Sequence, residues 1–210
     1  MRLYDGEPVA GPWRAVSVAQ VLDLLGRPRI LAVDGRSGGG KTIVADRLAA
    51  AVPGAAVVRT DDVAWYHAFF DWADLLRDGV LEPVRRGAPV DYRPPEWDRR
   101  GREGAIVVPG GVPLVIVEGV GAGRGELAEY FDALVWVQAD AVEARRRGLE
   151  RDGPDSADFW AEWQAAEDPF QAAQRPWERA DLIVNGTPGV AHDPRTELVV
   201  APPIGAGNSA

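Results

Sequence analysis

One eight-residue stretch limits what this chain can fold into more than any other feature. Gly35-Arg36-Ser37-Gly38-Gly39-Gly40-Lys41-Thr42 fits the pattern G-x-x-x-x-G-K-[ST], and its flanks give the pattern structural sense. Before it runs ILAVD (Ile30 to Asp34), a short continuous apolar segment of the kind that forms a strand buried on both faces. After it runs IVADRLAAAV, which reads as a helix. Strand, glycine turn and helix in that order make a cradle for an anion. Glycines let backbone N–H groups curl around the ligand without side-chain clashes, and the helix start aims its free amides and positive dipole end at the same point.

Composition sets a demand that this cradle meets. The chain has 210 residues and a formal net charge of -9. A field of that sign repels nucleic-acid backbones and anionic membranes. It repels ATP as well, so a nucleotide site here has to be locally positive. The chain holds 22 arginines and a single lysine, Lys41, retained where a compact ammonium is hardest to replace by a planar guanidinium. There Lys41 can reach the β- and γ-phosphates of a nucleotide, and the Thr42 hydroxyl can ligate Mg²⁺. Gly35, Ser37, Gly38, Gly39, Gly40, Lys41 and Thr42 are therefore the candidate nucleotide-binding residues, with ATP and Mg²⁺ as the expected cofactors. The absence of cysteine excludes disulfides and thiolate zinc sites. No apolar run approaches the roughly 20 residues that span a bilayer, and MRLYDGEPVAG lacks a signal-peptide pattern. The expectation is a cytoplasmic protein whose partners are a nucleotide and a small-molecule acceptor, with neither nucleic acid nor membrane among them.

Beyond the cradle, SVAQVLDLLG (Ser17 to Gly26) has helical spacing with a Ser cap and a Gly stop. AAVVRT (Ala55 to Thr60), PLVIVEG (Pro113 to Gly119), ALVWVQ (Ala133 to Gln138) and DLIVNG (Asp181 to Gly186) read as further strands, with helical stretches between several of them. That alternation predicts one α/β domain of the three-layer P-loop NTPase class, with a mostly parallel sheet covered on both faces. VDYRPPEW and GAIVVPGG, with their prolines, read as a satellite hairpin at about 88–110. A helical lid is expected at about 140–178, TELVV (Thr196 to Val200) as an edge strand, and a disordered tail at about 202–210.

Two acidic positions narrow the chemistry. Asp61-Asp62 directly follow AAVVRT, and Glu118 ends the strand in PLVIVEG. The carboxyl ends of parallel strands share one sheet edge, where ligands bind, so Asp61, Glu118 and the cradle should converge. Transfer of a phosphoryl group to a hydroxyl needs one carboxylate to orient and deprotonate the acceptor and another on the metal side. Asp61 suits the first role and Glu118 the second. The plainer readings are a helix cap for either aspartate and a solvated strand end for Glu118.

The succession GRSGGGKT, TDDVAWY, VIVEGVGA, RRRGLERD and RPWERADLIVNG resembles the uridine kinase and nicotinamide riboside kinase group of P-loop kinases over Ile30 to Gly186. The resemblance implies Asp61 as catalytic base and Glu118 as metal-side carboxylate, beside Thr42. It also implies that Phe70-Asp71 corresponds to a Phe-Asp whose aspartate holds ribose hydroxyls, and that Asp91-Tyr92 falls near a substrate-facing hairpin motif.

Arg145, Arg146, Arg147 and Arg151 lie on one expected helix, and Arg147 and Arg151, four apart, share a face. Brought over the γ-phosphoryl group by a closing lid, Arg147 and Arg151 would stabilise its charge and exclude water; the alternative is a solvated face paired with Glu143 and Glu150. Trp65, Tyr66, Phe69, Phe70, Trp72 and Tyr92 could form a flat wall for a planar ring. Asp71, Tyr66, Tyr92 and Arg93 are the candidate acceptor-binding residues. The expected activity is a kinase for a nucleoside or similar small alcohol. A monophosphate acceptor would call on Arg85, Arg86, Arg93, Arg99 and Arg100, and a vitamin-like alcohol also stays open. A nucleotide-switched regulator is the reading from a different class; with Lys41 the sole lysine, the Asn-Lys-x-Asp motif of a GTPase is absent.

Overall fold

The computed structural model describes residues 1–204, so 205–210 of the expected tail lie outside the described residues. Nine strands occur among the described residues: β1 (Arg14–Ser17), β2 (Ile30–Gly35), β3 (Ala56–Arg59), β4 (Val90–Tyr92), β5 (Ile106–Val108), β6 (Val115–Glu118), β7 (Ala133–Gln138), β8 (Leu182–Asn185) and β9 (Glu197–Ala201). Seven of them form one sheet in the order β1-β9-β8-β7-β2-β6-β3. The run from β3 to β8 is parallel throughout, while β9 lies antiparallel to β8 and to β1. This is the expected α/β sheet. TELVV, however, sits one strand in from the margin; the margin is β1, a four-residue strand that carries only one buried side chain and so gives little apolar signal.

Among the described residues there are eight α-helices: α1 (Val18–Leu24), α2 (Lys41–Ala50), α3 (Thr60–Val63), α4 (Ala73–Leu76), α5 (Glu82–Arg85), α6 (Pro95–Arg99), α7 (Ala141–Asp152) and α8 (Ala157–Gln174). Ser17 caps α1 through a reciprocal box with Gln20. A π-turn over Arg77–Leu81 joins α4 to α5. Among the described residues, no helix is long and apolar enough to cross a membrane.

Period-two alternation in the central strands builds two cores. Leu31 and Val33 of β2, Ile116 of β6 and Val135 and Val137 of β7 pack with Val44, Ala45 and Leu48 of α2 and Val21 of α1. Ala32, Val115, Val117 and Trp136 face the other way, onto Trp72, Leu76, Val80, Leu81, Val84 and Trp97. Strands buried on both faces explain why these segments read as unbroken apolar runs. The hairpin, β4 against β5 with α6 between them, packs on that second core through Val90, Ile106 and Val108. Its register makes Tyr92 face Ile106, and a Cβ on Gly79 of the π-turn would come within 2.5 Å of the Tyr92 ring.

Candidate nucleotide and phosphoryl-transfer site

The parallel strands deliver their carboxyl ends to one sheet edge, and a cleft of about 710 Å³ opens there. β2 runs into the glycine loop, and α2 starts at Lys41 with Gly40 as its cap at φ 102°. That backbone conformation admits glycine and few others. Gly38, at φ 72°, lies against α7, where a Cβ would approach the Ala144 carbonyl carbon to 2.9 Å. The amides that open α2 have no intrahelical acceptor. Lys41 is 7% exposed, and its Nζ donates to the Arg36 carbonyl oxygen at 3.1 Å. Helix-start N–H groups beside a buried ammonium suit an anion better than a neutral ligand. Ser37, Gly38, Gly40, Lys41 and Thr42 line the cleft; Gly35 and Gly39 form the loop behind it.

On the neighbouring strands, Glu118 closes β6, 5% exposed, and its Oε2 accepts from the Thr42 hydroxyl at 3.3 Å. The same oxygen accepts from Arg59 Nη1 at 2.8 Å, while Arg59 Nη2 reaches Asp46 at 3.1 Å. Asp61 and Asp62 belong to the short α3 and have separate surroundings. Asp61 is exposed and lines the cleft. Asp62 pairs with Arg102 at 2.6 Å, its carbonyl accepts from the Trp97 indole at 2.8 Å, and the Arg102 guanidinium lies 3.6 Å from the centroid of Trp97.

The Asp34 carboxylate, wholly buried between β2 and the loop, accepts from the amides of Gly35, Gly121 and Gly123 and from Gln171 Nε2 at 2.6 to 3.0 Å. Burial pushes its carboxyl above the usual aspartate range, against the pull of those donors and of Lys41. Asp34 thereby ties the phosphate loop to the glycine-rich segment after β6 and to α8.

Of the expected lid arginines, Arg147 and Arg151 line the cleft. Arg147 donates to the Gly186 carbonyl at 2.7 Å and to Glu143 at 3.1 Å. Arg151 pairs with Asp152 at 2.7 Å, and Asp61 and Glu118 are near enough to add to the upward shift that this pairing gives its guanidinium. Arg146 is held on the outer face by Glu143 and Glu150. α7 and α8 pack through Trp160, whose indole lies on Gly148 and donates to Asp152 at 3.0 Å.

The four expected acceptor-binding residues are not brought to this cleft. Arg93 spends its guanidinium inside the hairpin, on Asp98 and on the carbonyls of Gly104 and Arg102. Tyr92 packs on the π-turn, Tyr66 is 64% exposed beneath Arg100, and Asp71 is exposed outside the cleft. The walls beyond Asp61 come instead from α8: Phe159, Trp160 and Trp163, with Val120 after β6. On the far side lie Asn185, Gly186, Pro188 and His192, from the segment after β8. None of these last residues carries a spacing signal. The role of Arg59 was hidden because its partners Asp46 and Glu118 lie 13 and 59 residues away.

Among the described residues, no group of three or more acidic or histidine side chains could hold a metal by itself. Thr42 and Glu118 place one hydroxyl and one carboxylate beside each other, donors of the kind that a magnesium ion would accept along with phosphate oxygens and water.

No protein-family model matches the sequence, and no curated protein matches it. Among solved structures, a possible uridine kinase from Bacillus stearothermophilus superposes with a TM-score of 0.50 at 18% identity, covering 78% of this chain and 98% of that one. A protein provisionally named a fructose transport system kinase, from Silicibacter sp. TM1040, gives a TM-score of 0.46 at 16% identity, covering 79% and 96%. The likeness to the first, with the mostly parallel sheet and its glycine loop, establishes that this chain has the fold of the P-loop kinases.

Proposed function

We propose that this protein is an ATP- and Mg²⁺-dependent phosphotransferase that moves the γ-phosphoryl group onto a hydroxyl of an uncharged small molecule of nucleoside-like size. The reading rests on one observation: Lys41, Thr42, Asp61 and Glu118, which come from three different strand ends, line a single cleft. In it, the amides of the glycine loop and the Lys41 ammonium bind the terminal phosphates. Magnesium, when bound, neutralises charge that develops on the phosphates, and the residues that would hold it are Thr42 and Glu118. Asp61 accepts the acceptor's hydroxyl proton as the new O–P bond forms and the bond to the β-phosphate oxygen breaks, releasing ADP. Arg147 and Arg151 approach the transferring group from α7.

An uncharged acceptor is favoured over a monophosphate by the fate of the basic residues that a second phosphate would require. Arg85 donates to the carbonyls of Glu129 and Tyr130, Arg86 to Glu82, Arg93 to Asp98, and Arg99 and Arg100 to Glu96.

The test is ADP release with MgATP across nucleosides, vitamin-like alcohols and nucleoside monophosphates. Wild type should turn over one or more of the uncharged acceptors, and Lys41→Arg should turn over none. Hydrolysis that no acceptor stimulates would instead favour the regulator reading.

A further inference from the structure

Glu167 is a fully buried carboxylate in the middle of α8, with no part in the chemistry proposed above. Three donors converge on it. The Ser37 amide, inside the phosphate loop, donates to Oε1 at 2.8 Å, and the Tyr4 hydroxyl donates to the same oxygen at 2.5 Å. The Trp163 indole N–H donates to Oε2 at 2.6 Å and is shared with the Ser37 hydroxyl at 2.7 Å. One residue along, Asp168 takes Arg36 Nη1 at 2.6 Å, and the Arg36 guanidinium, 4% exposed, lies 3.6 Å from the centroid of the Tyr4 ring. Two consecutive residues of α8 thus hold two consecutive residues of the loop. Burying a carboxylate is costly unless its oxygens are satisfied, and these donors come from the loop, the N-terminal segment and α8 itself. The arrangement therefore exists only when all three are in register.

We propose that Glu167 is a positioning residue for phosphate binding: it captures the Ser37 amide and so fixes the direction of the amides of Gly38, Gly40, Lys41 and Thr42. The inference rests on the nucleotide-binding reading above. An amide held by a buried charged acceptor cannot swing toward the ligand. The Gly39 amide is likewise held, by the Arg36 carbonyl at 2.8 Å. Those two bonds define the turn that carries the remaining N–H groups, on residues Gly38, Gly40, Lys41 and Thr42 that line the cleft. α8 then acts as a fixed wall clamped to the loop, while α7, beyond Gly153, carries the arginines.

Calorimetric titration of the full chain with MgADP, paired with thermal unfolding, tests this. Glu167→Ala should weaken MgADP binding by about tenfold or more. Glu167→Gln keeps the volume and one acceptor for Ser37 but turns an amide N–H₂ toward the Trp163 N–H. It should lose affinity about fivefold, and adding Trp163→Phe, which removes the opposing donor, should recover most of it. Should Glu167→Ala not fold, Glu167→Gln with and without Trp163→Phe decides alone. MgADP affinity within twofold of wild type in folded Glu167→Gln, with only a lowered midpoint, would show a structural pillar and overturn the proposal. A folded wild-type chain that takes up no MgADP would instead refute the nucleotide reading, a result that needs no variant.

Discussion

Arg59 and Glu118 form a 2.8 Å ion pair at the adjoining carboxyl ends of β3 and β6, and it is made through Oε2, the oxygen that the Thr42 hydroxyl also approaches. A cation ligated by Thr42 and by this oxygen of Glu118 would share it with a guanidinium. Glu118 is almost fully buried, so the competing charge is poorly screened on its side. Arg59→Gln removes the competing charge and leaves only a shorter, neutral donor in its place. The Mg²⁺ concentration that half-saturates ADP formation should fall, by about threefold, whereas Glu118→Gln should raise it at least tenfold. Magnesium titrations at fixed, saturating ATP read both. A rise in the Arg59→Gln requirement would mean that the guanidinium presents Glu118 to the metal.

Asp61 and Asp62 are adjacent acids with separable consequences. Asp61→Asn should lower kcat by about 10² to 10⁴-fold, the range for loss of a positioned base, and leave thermal stability and MgADP affinity near wild type. Asp62→Ala removes the anchor of Arg102, which would then lie over Trp97 without a counter-charge. It should destabilise by about 1–3 kcal/mol in urea unfolding, with kcat of the folded fraction nearly intact. Exchange of the two phenotypes would reverse the assignment.

How much of this could be read in advance depended on whether the cause was local. The phosphate loop, the strands β2, β6, β7 and β8, and the positions of Asp61 and Glu118 follow from contiguous residues: an apolar run, a glycine turn, an acid at a strand end. What stayed hidden depends on distant partners. Glu167 looks like any polar residue of an amphipathic helix until Ser37, 130 positions earlier, is folded against it. The hairpin was legible as a hairpin, but the expected substrate roles of Tyr92 and Arg93 could not be weighed before the π-turn and Asp98 had claimed those side chains. β1 is too short to carry a period, and its place at the sheet margin comes from pairing with β9.

The burial of Asp34 predicts the sign of one pH dependence of the fold. Because burial raises its carboxyl above the ordinary value, the folded chain holds that proton to higher pH than the unfolded chain does. The associated stability is present in full below the unfolded value of about 3.9 and is lost as pH rises through the folded one. Asp34→Asn cannot titrate, so this slope should vanish from its stability–pH profile. The variant should also lose about 1–3 kcal/mol across the range, since its N–H₂ must face one or more of the four N–H donors that now point at the carboxylate. Urea unfolding at several pH values checks both. An unchanged slope would reassign the titration to Glu7, the other carboxyl that burial raises in this part of the molecule.

Arg147 and Arg151 share a face of α7 but are held differently, and that difference predicts a split in kinetics. Arg147 is bound to the Gly186 carbonyl at the end of β8 and to Glu143, so its position is set before any ligand arrives. Held there on phosphates that carry their charge before as well as during transfer, the guanidinium is expected to contribute alike to the ground and transition states. Arg147→Ala should therefore raise the KM for ATP about tenfold while kcat changes little. Among the described residues, Arg151 is tied only to its neighbour Asp152, at the surface, with Asp61 and Glu118 close by. It can turn inward when negative charge builds between those carboxylates and the loop, and an interaction made chiefly in the transition state appears in kcat. Arg151→Ala should lower kcat by about 10²-fold with the KM for ATP near wild type. Equal effects of the two substitutions on KM alone would mean that neither guanidinium meets the transferring group, and that α7 serves only to close the nucleotide pocket.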